Sequence, residues 1–168
     1  KYLVSTLGTF VVAWSVLDLL IDAAIVKQLN LDPKRGAIVT CGLGFEAKVG
    51  MLSSLLHLSD PEYADVIMAI DEIKTEARRN VLLHGYISIG DAALEFTKMD
   101  AKSKLTVRSV KHAPEHFNEV LGIICRKTDY IADRLGITLA DREAIVNIGK
   151  SMANKAPTSP TSSSQKRT

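Results

Sequence analysis

The chain has 168 residues and a formal net charge of +2, with 46% hydrophobic, 24% charged and 5% aromatic residues. That length suits one domain burying about two-thirds of its unfolded surface. The mild charge excludes a protein that coats nucleic acid by charge alone but permits a local basic groove, and the scarcity of large rings argues against an all-β sandwich. A soluble, mainly α protein is expected.

Cys41 and Cys125 both fall in apolar helical patterns with no ligand spacing, which predicts a reducing, cytoplasmic setting without disulfides. The chain begins at Lys1, so the natural start is expected to lie outside it. Leu7 to Ile25 is apolar enough to raise a membrane span, but Asp18 and Asp22 interrupt it. Each carboxylate costs about 2.5 to 3.5 kcal/mol at a bilayer centre, so no membrane partner is expected.

From Leu3 to Leu29 apolar residues recur at spacings of three and four, including Phe10, Trp14, Leu17, Ile21 and Ile25, which predicts one long helix. Asp18 and Asp22 mark another face and read as a solvated pair or, less simply, as partners for arginine. Asn30 ends the helix and Asp32-Pro33 opens the next, which breaks near Gly42 to Gly44. Phe45 to Leu58 predicts a helix with Phe45, Val49, Leu52, Leu55 and Leu56 on one side and Lys48 off it. Asp60-Pro61-Glu62 starts a central helix to about Leu83, with Val66, Ile70, Ile73 and Ala77 buried and Asn80 or Val81, then His84, continuing that stripe.

After Gly85 the period becomes two, predicting a small antiparallel meander over about 86–110. Ala113-Pro114-Glu115 opens a helix to Leu135 with Phe117, Leu121, Ile124, Thr128 and Ile131 inward, ended by Gly136. Thr138 and Asp141 form a capping pair for a last helix to about Ala153. One domain over 1–155 is expected, with a disordered Pro/Ser/Thr tail over 156–168. His112 and His116 have metal-like spacing, but Pro114 between them and the lack of Cys or paired acids favour chance; no metal and no cofactor are expected.

The chemistry gathers in Glu76-Ala77-Arg78-Arg79-Asn80-Val81-Leu82-Leu83-His84-Gly85-Tyr86. An arginine and an amide followed by an imidazole at a helix end make the composition of a phosphate-handling site. This stretch resembles the HEPN domains, helical bundles defined by an arginine and a histidine four to six residues apart near a helix end. Arg79 and His84 fit with four residues between them, Asn80 fits the polar residue after the arginine, and Arg78 fits the five-residue spacing. The resemblance implies a HEPN-like bundle, here with the meander inserted after the motif helix, and a metal-independent endoribonuclease acting on RNA, of a toxin or defence system. In that reading His84 moves a proton, Arg79 stabilises the phosphorane, Asn80 orients the substrate or the imidazole, and Arg78 binds substrate.

Positions five apart on a helix diverge by roughly 140°, so Arg79 and His84 do not share a face, whereas Asn80 and His84 do. Family members pair two domains so that both motifs line one cleft, which implies a homodimer. The resemblance also offers Tyr86 as a residue that a partner nucleotidyltransferase antitoxin modifies with AMP, while the period-two pattern makes Tyr86 the first residue of the meander. The plainer alternative has His84 stabilised by the helix macrodipole, Arg79 paired with Glu76, and the protein acting as a non-catalytic helical dimer that binds nucleic acid or protein.

Overall fold

The computed structural model describes residues 2–59, 61–77, 86–89, 94–101, 105–112 and 114–153. The chain is mainly helical. Its elements are α1 (Tyr2–Gln28), α2 (Pro33–Thr40), α3 (Phe45–Ser59), a 3-10 turn (Pro61–Tyr63), α4 (Ala64–Ala77), β1 (Tyr86–Ile89), β2 (Leu94–Ala101), β3 (Leu105–His112), α5 (Pro114–Leu135) and α6 (Leu139–Ala153).

Local chemistry sets the helix ends. After α1, Asn30 takes a left-handed conformation with φ 50°, which asparagine tolerates better than most residues. Asp32 Oδ1 then accepts from the Lys34 and Arg35 amides, with Pro33 at the first helical position of α2. Gly136, at φ +61°, stops α5. The Thr138 amide donates to Asp141 Oδ2 at 2.7 Å and the Asp141 amide to Thr138 Oγ1 at 3.2 Å, the reciprocal cap that starts α6.

Pairwise contacts give the helix directions. Phe10 packs on Phe117 at 5.4 Å between ring centroids, and Lys27 Nζ donates to Gly136 O at 2.6 Å, so α1 and α5 run parallel. Trp14 meets Phe45 at 4.7 Å, and Lys48 reaches Asp18 and Asp22, so α3 follows α1. Glu46 pairs with Lys74, Asp65 with Arg134 and Glu72 with Lys127, which sets α4 antiparallel to both α3 and α5. The four helices form a bundle with α4 against α3 and α5, diagonal from α1, while α2 and α6 pack on α1.

The core fills the space between them. Phe10, Leu17, Leu20, Ile21 and Ile25 of α1 are fully buried against Leu52, Leu56, Ile70, Ile73 and Phe117. Val66, Ile70, Ile73 and Ala77 are buried, as the periodicity of the central helix predicts. Its start differs, because Pro61 to Tyr63 form a 3-10 turn before α4; Asp60 and residues 78–83 lie outside the described residues. In α5 the expected inward Leu121 is only half-buried, and Val120 takes the inner place. The predicted tail falls outside the described residues.

The three strands form one antiparallel sheet in the order β1-β2-β3, with Tyr86 opposite Thr97 and Leu94 opposite His112. Ser109 donates to Glu95 Oε1 at 2.6 Å and Thr97 to Ser109 Oγ at 3.3 Å, a polar ladder across β2 and β3. Among the described residues, the sheet's main approach to the helices is where β3 leads into α5.

Close packing of α2 on α1 depends on Gly36, where an added Cβ would sit 2.2 Å from Val26 Cγ2. Gly36→Ala should therefore cost about 1 to 3 kcal/mol despite alanine's better helix propensity. Urea denaturation checks this, and adding Val26→Ala should recover part of the loss.

Candidate functional site

Helix α4 leads to the candidate site because its apolar stripe anchors it to the bundle as far as Ala77, which is fully buried. The antiparallel register set by Asp65–Arg134 and Glu72–Lys127 carries Ala77 to the third turn of α5, near Gly122. The same bundle end holds the first turn of α3, where Glu46 forms an ion pair with Lys74 Nζ at 2.7 Å, and the aromatic set of Phe10, Trp14, Phe45 and Phe117.

Arg78, Arg79, Asn80 and His84 follow Ala77 in sequence and lie outside the described residues. Of the proposed site residues the structure describes only Tyr86, as the first residue of β1 paired with Thr97. On the first turn of α5, His116 Nδ1 sits 3.4 Å from Glu119 Oε2. His112 ends β3, and no group of three or more His, Cys, Asp or Glu side chains is placed to hold a metal among the described residues.

Two ionic clusters that sequence reasoning missed organise the surroundings. Lys48, read as lying off the buried side of α3, has a side chain only 8% exposed. Its Nζ donates to both Asp18 oxygens at 3.2 Å and to Asp22 Oδ2 at 2.9 Å. Asp22 Oδ1 is also 2.9 Å from Nζ but lacks hydrogen-bond alignment. Asp22 is 14% exposed, so the expected solvated pair is instead a shared counterion for one lysine. Burial pushes the Asp22 carboxyl up; Lys48 and Thr40 hydrogen bonds oppose this without cancelling it. Burial also pulls against the Lys48 ammonium, but the Asp22 hydrogen bond and both carboxylate charges win and its pKa rises. A lysine with two carboxylates one turn apart on another helix was a signal available in principle. Its spacing of 26 and 30 residues hid it.

The second cluster clamps the far end of α4 to α5. Arg134 Nε donates to Asp65 Oδ2 at 2.7 Å, the Tyr130 hydroxyl donates to the same oxygen, and the Arg134 guanidinium lies 5.8 Å from the Tyr63 ring centroid. The Arg134 hydrogen bond, aided by Tyr130, lowers the Asp65 pKa to about 2.

Along α1 run two clefts that share Val16. One, of about 310 Å³, is lined by Thr9, Val12, Ala13, Cys125, Thr128 and Asp129 as well. The other, of about 390 Å³, lies against α6 at Leu139, Arg142 and Val146. By length and composition Ser5–Gln28 qualifies to cross a membrane, yet half of its most apolar window is buried inside the bundle. No family model, curated protein or solved structure matches the chain.

Lys48→Met would strand two carboxylates beside an apolar core and should cost about 3 kcal/mol, read from urea denaturation. Adding Asp18→Asn and Asp22→Asn should restore much of that loss. For Asp65 the folded pKa of about 2 lies below the ordinary 3.8. Its stabilisation is therefore complete above the unfolded value and lost as pH falls through about 2. Denaturation midpoints should fall across that acid window, and Asp65→Asn should flatten the slope there.

Proposed function

We propose that this chain is a metal-independent endoribonuclease of HEPN type, a helical bundle with a three-stranded insertion after the motif helix. The observation that carries the reading is Arg79-Asn80 with His84, following at once on a helix whose last described residue, Ala77, is locked in the core. Support comes also from the bundle end at which Ala77 sits. There α3 begins, and the positive end of its dipole favours a phosphate.

Within this reading the RNA 2′-hydroxyl attacks the adjacent phosphorus, and the 5′-oxygen of the next nucleotide leaves. The products are a 2′,3′-cyclic phosphate and a 5′-hydroxyl. His84 accepts the proton of the attacking hydroxyl or donates one to the leaving oxygen, and in a pair of copies two imidazoles divide these tasks. Arg79 neutralises the charge that builds on the phosphorane, Arg78 holds a flanking phosphate, and Asn80 orients the imidazole. A homodimer that brings two motifs to one cleft completes the site.

A cytoplasmic protein without a membrane partner fits the pairing of Asp18 and Asp22 with Lys48, which makes α1 a core helix of the bundle. A toxin or defence role, with Tyr86 as acceptor of AMP from a nucleotidyltransferase antitoxin, extends the same proposal. The non-catalytic dimer is favoured by one observation, the exposed valines of α1.

The test is cleavage of mixed single-stranded RNA in EDTA. The wild type should give cyclic-phosphate ends, and Arg79→Ala and His84→Ala should each slow cleavage by at least about 100-fold with unchanged thermal midpoints. Intact RNA with the wild type, and lowered midpoints in both variants, would leave the motif structural and the interaction module as the function.

A further inference from the structure

Helix α1 presents one stripe with two fates. Taking Val12 as its centre, Ser5, Gly8, Val16, Leu19, Ala23 and Val26 all fall within roughly 40° of it at 100° per residue. Over the second half of the stripe lies α6, whose Leu139 and Val146 line a cleft with Val16 and Leu19 and whose Ala140, Ala144 and Ile145 line one with Ala23 and Val26. Among the described elements the first half is flanked only by α5, whose Cys125, Thr128 and Asp129 line an open cleft with Thr9, Val12 and Ala13. Val12 is 63% exposed, Val11 and Val16 are exposed beside it, and the sequence from Tyr2 to Leu17 contains no charged residue.

We infer that this open half of α1 is a docking surface for a second copy of the chain. A bilayer does not fit it. Asp18 and Asp22 with their lysine come next along the helix, and each carboxylate costs about 2.5 to 3.5 kcal/mol at a bilayer centre. A protein surface does fit, because two of the exposed hydroxyls are already spent within the helix. Thr9 donates to Ser5 O at 3.0 Å and Ser15 to Val11 O at 2.9 Å, so covering the face orphans neither donor.

The face is also complementary to itself. Two antiparallel copies that overlap over the open stretch set Gly8 and Thr9 of one against Val12 of the other, and Ser5 against Val16, small opposite large in both halves. A Cβ at Gly8 would meet nothing within 4 Å in the single chain, so the recess there is open. The rim carries both signs, with Asp129 on α5 and Arg142, Glu143 and Lys150 on α6. With the flanks of α5 and α6 about 10 Å to either side, the surface is on the order of 500 Å² per copy. That is below the about 800 Å² of a standard interface, so the association is weak and concentration-dependent.

This pairing differs from the motif-to-motif pairing proposed above. α4 sits diagonal from α1, so copies joined through α1 hold their Ala77 ends about 35 to 40 Å apart. The inference therefore stands without the nuclease reading, and the two fail separately.

Sedimentation equilibrium of the full chain, from low micromolar to near-millimolar protein, tests it with Val12→Arg and Gly8→Leu. The wild-type mass should rise twofold across the range. Both variants should abolish the rise while keeping the thermal midpoint, Gly8→Leu even raising it because leucine replaces a helical glycine in open space. RNA cleavage by Val12→Arg should match the wild type. A flat wild-type mass, or a rise that both variants leave intact, overturns the inference. So does a chain ending at Ala153 that associates when the full chain does not, since the tail would then be the occupant. Pelleting of monomeric wild type, but not Val12→Arg, with anionic vesicles would overturn it in favour of a lipid surface.

Discussion

One ammonium held between two carboxylates governs how this bundle assembles. From Leu17 to Val26 helix α1 is apolar around most of its circumference and is surrounded by α2, α3, α5 and α6. A cylinder of that kind slides easily, because one apolar contact replaces another at little cost. Lys48 bonded to Asp18 and Asp22 stops the sliding between α1 and α3. The cluster carries a net negative charge in a partly desolvated place, so its contribution to net stability is small beside the cost of breaking it. It specifies the packing more than it strengthens it.

A second polar contact performs the same service for α4. Asp65 receives both Arg134 and Tyr130 near one end of the helix, and Lys127 meets Glu72 further along. Apolar packing of Val66, Ile70 and Ile73 chooses which face of α4 is inward, but it does not choose the height at which the helix stops. The ionic contacts choose the height. They carry Ala77, the last described residue of α4, to the third turn of α5.

Most of the helical frame was legible from residue pattern. Phe10, Trp14, Leu17 and Ile21 announce the buried side of α1, Asp32-Pro33 and Thr138 with Asp141 announce starts, and Asn30 and Gly136 announce stops. These signals are local and arise from sterics or a single hydrogen bond. What stayed hidden was non-local. Lys48 is one residue from the apolar stripe of α3, and nothing within its own helix tells that two carboxylates of α1 await it. Leu121 and Val120 differ by 100° of rotation, and only the neighbours of α5 decide between them. The roles proposed for Arg79, Asn80 and His84 rest on their types and spacing, because these residues lie outside the described ones. On an ideal helix positions five apart point away from each other, which is why the proposed site calls for a second copy.

The diagonal arrangement of α1 and α4 has a further consequence for assembly. The open face of α1 and helix α4 occupy opposite sides of the same four helices, so covering that face leaves α4 free. Two isologous contacts on opposite sides of a protomer either close into a tetramer with crossed two-fold axes or propagate as an open chain. Which occurs depends on the angle between the axes, and the small area of the α1 face matters here. A contact on the order of 500 Å² per copy is too weak to hold a growing chain together at ordinary protein concentration, but inside a closed ring two such contacts act together and reinforce each other. The fold thus separates the open face of α1 from helix α4, which the arginine, asparagine and histidine follow in sequence. Only the motif pairing need be tight for phosphate chemistry, because that pairing alone would complete a site.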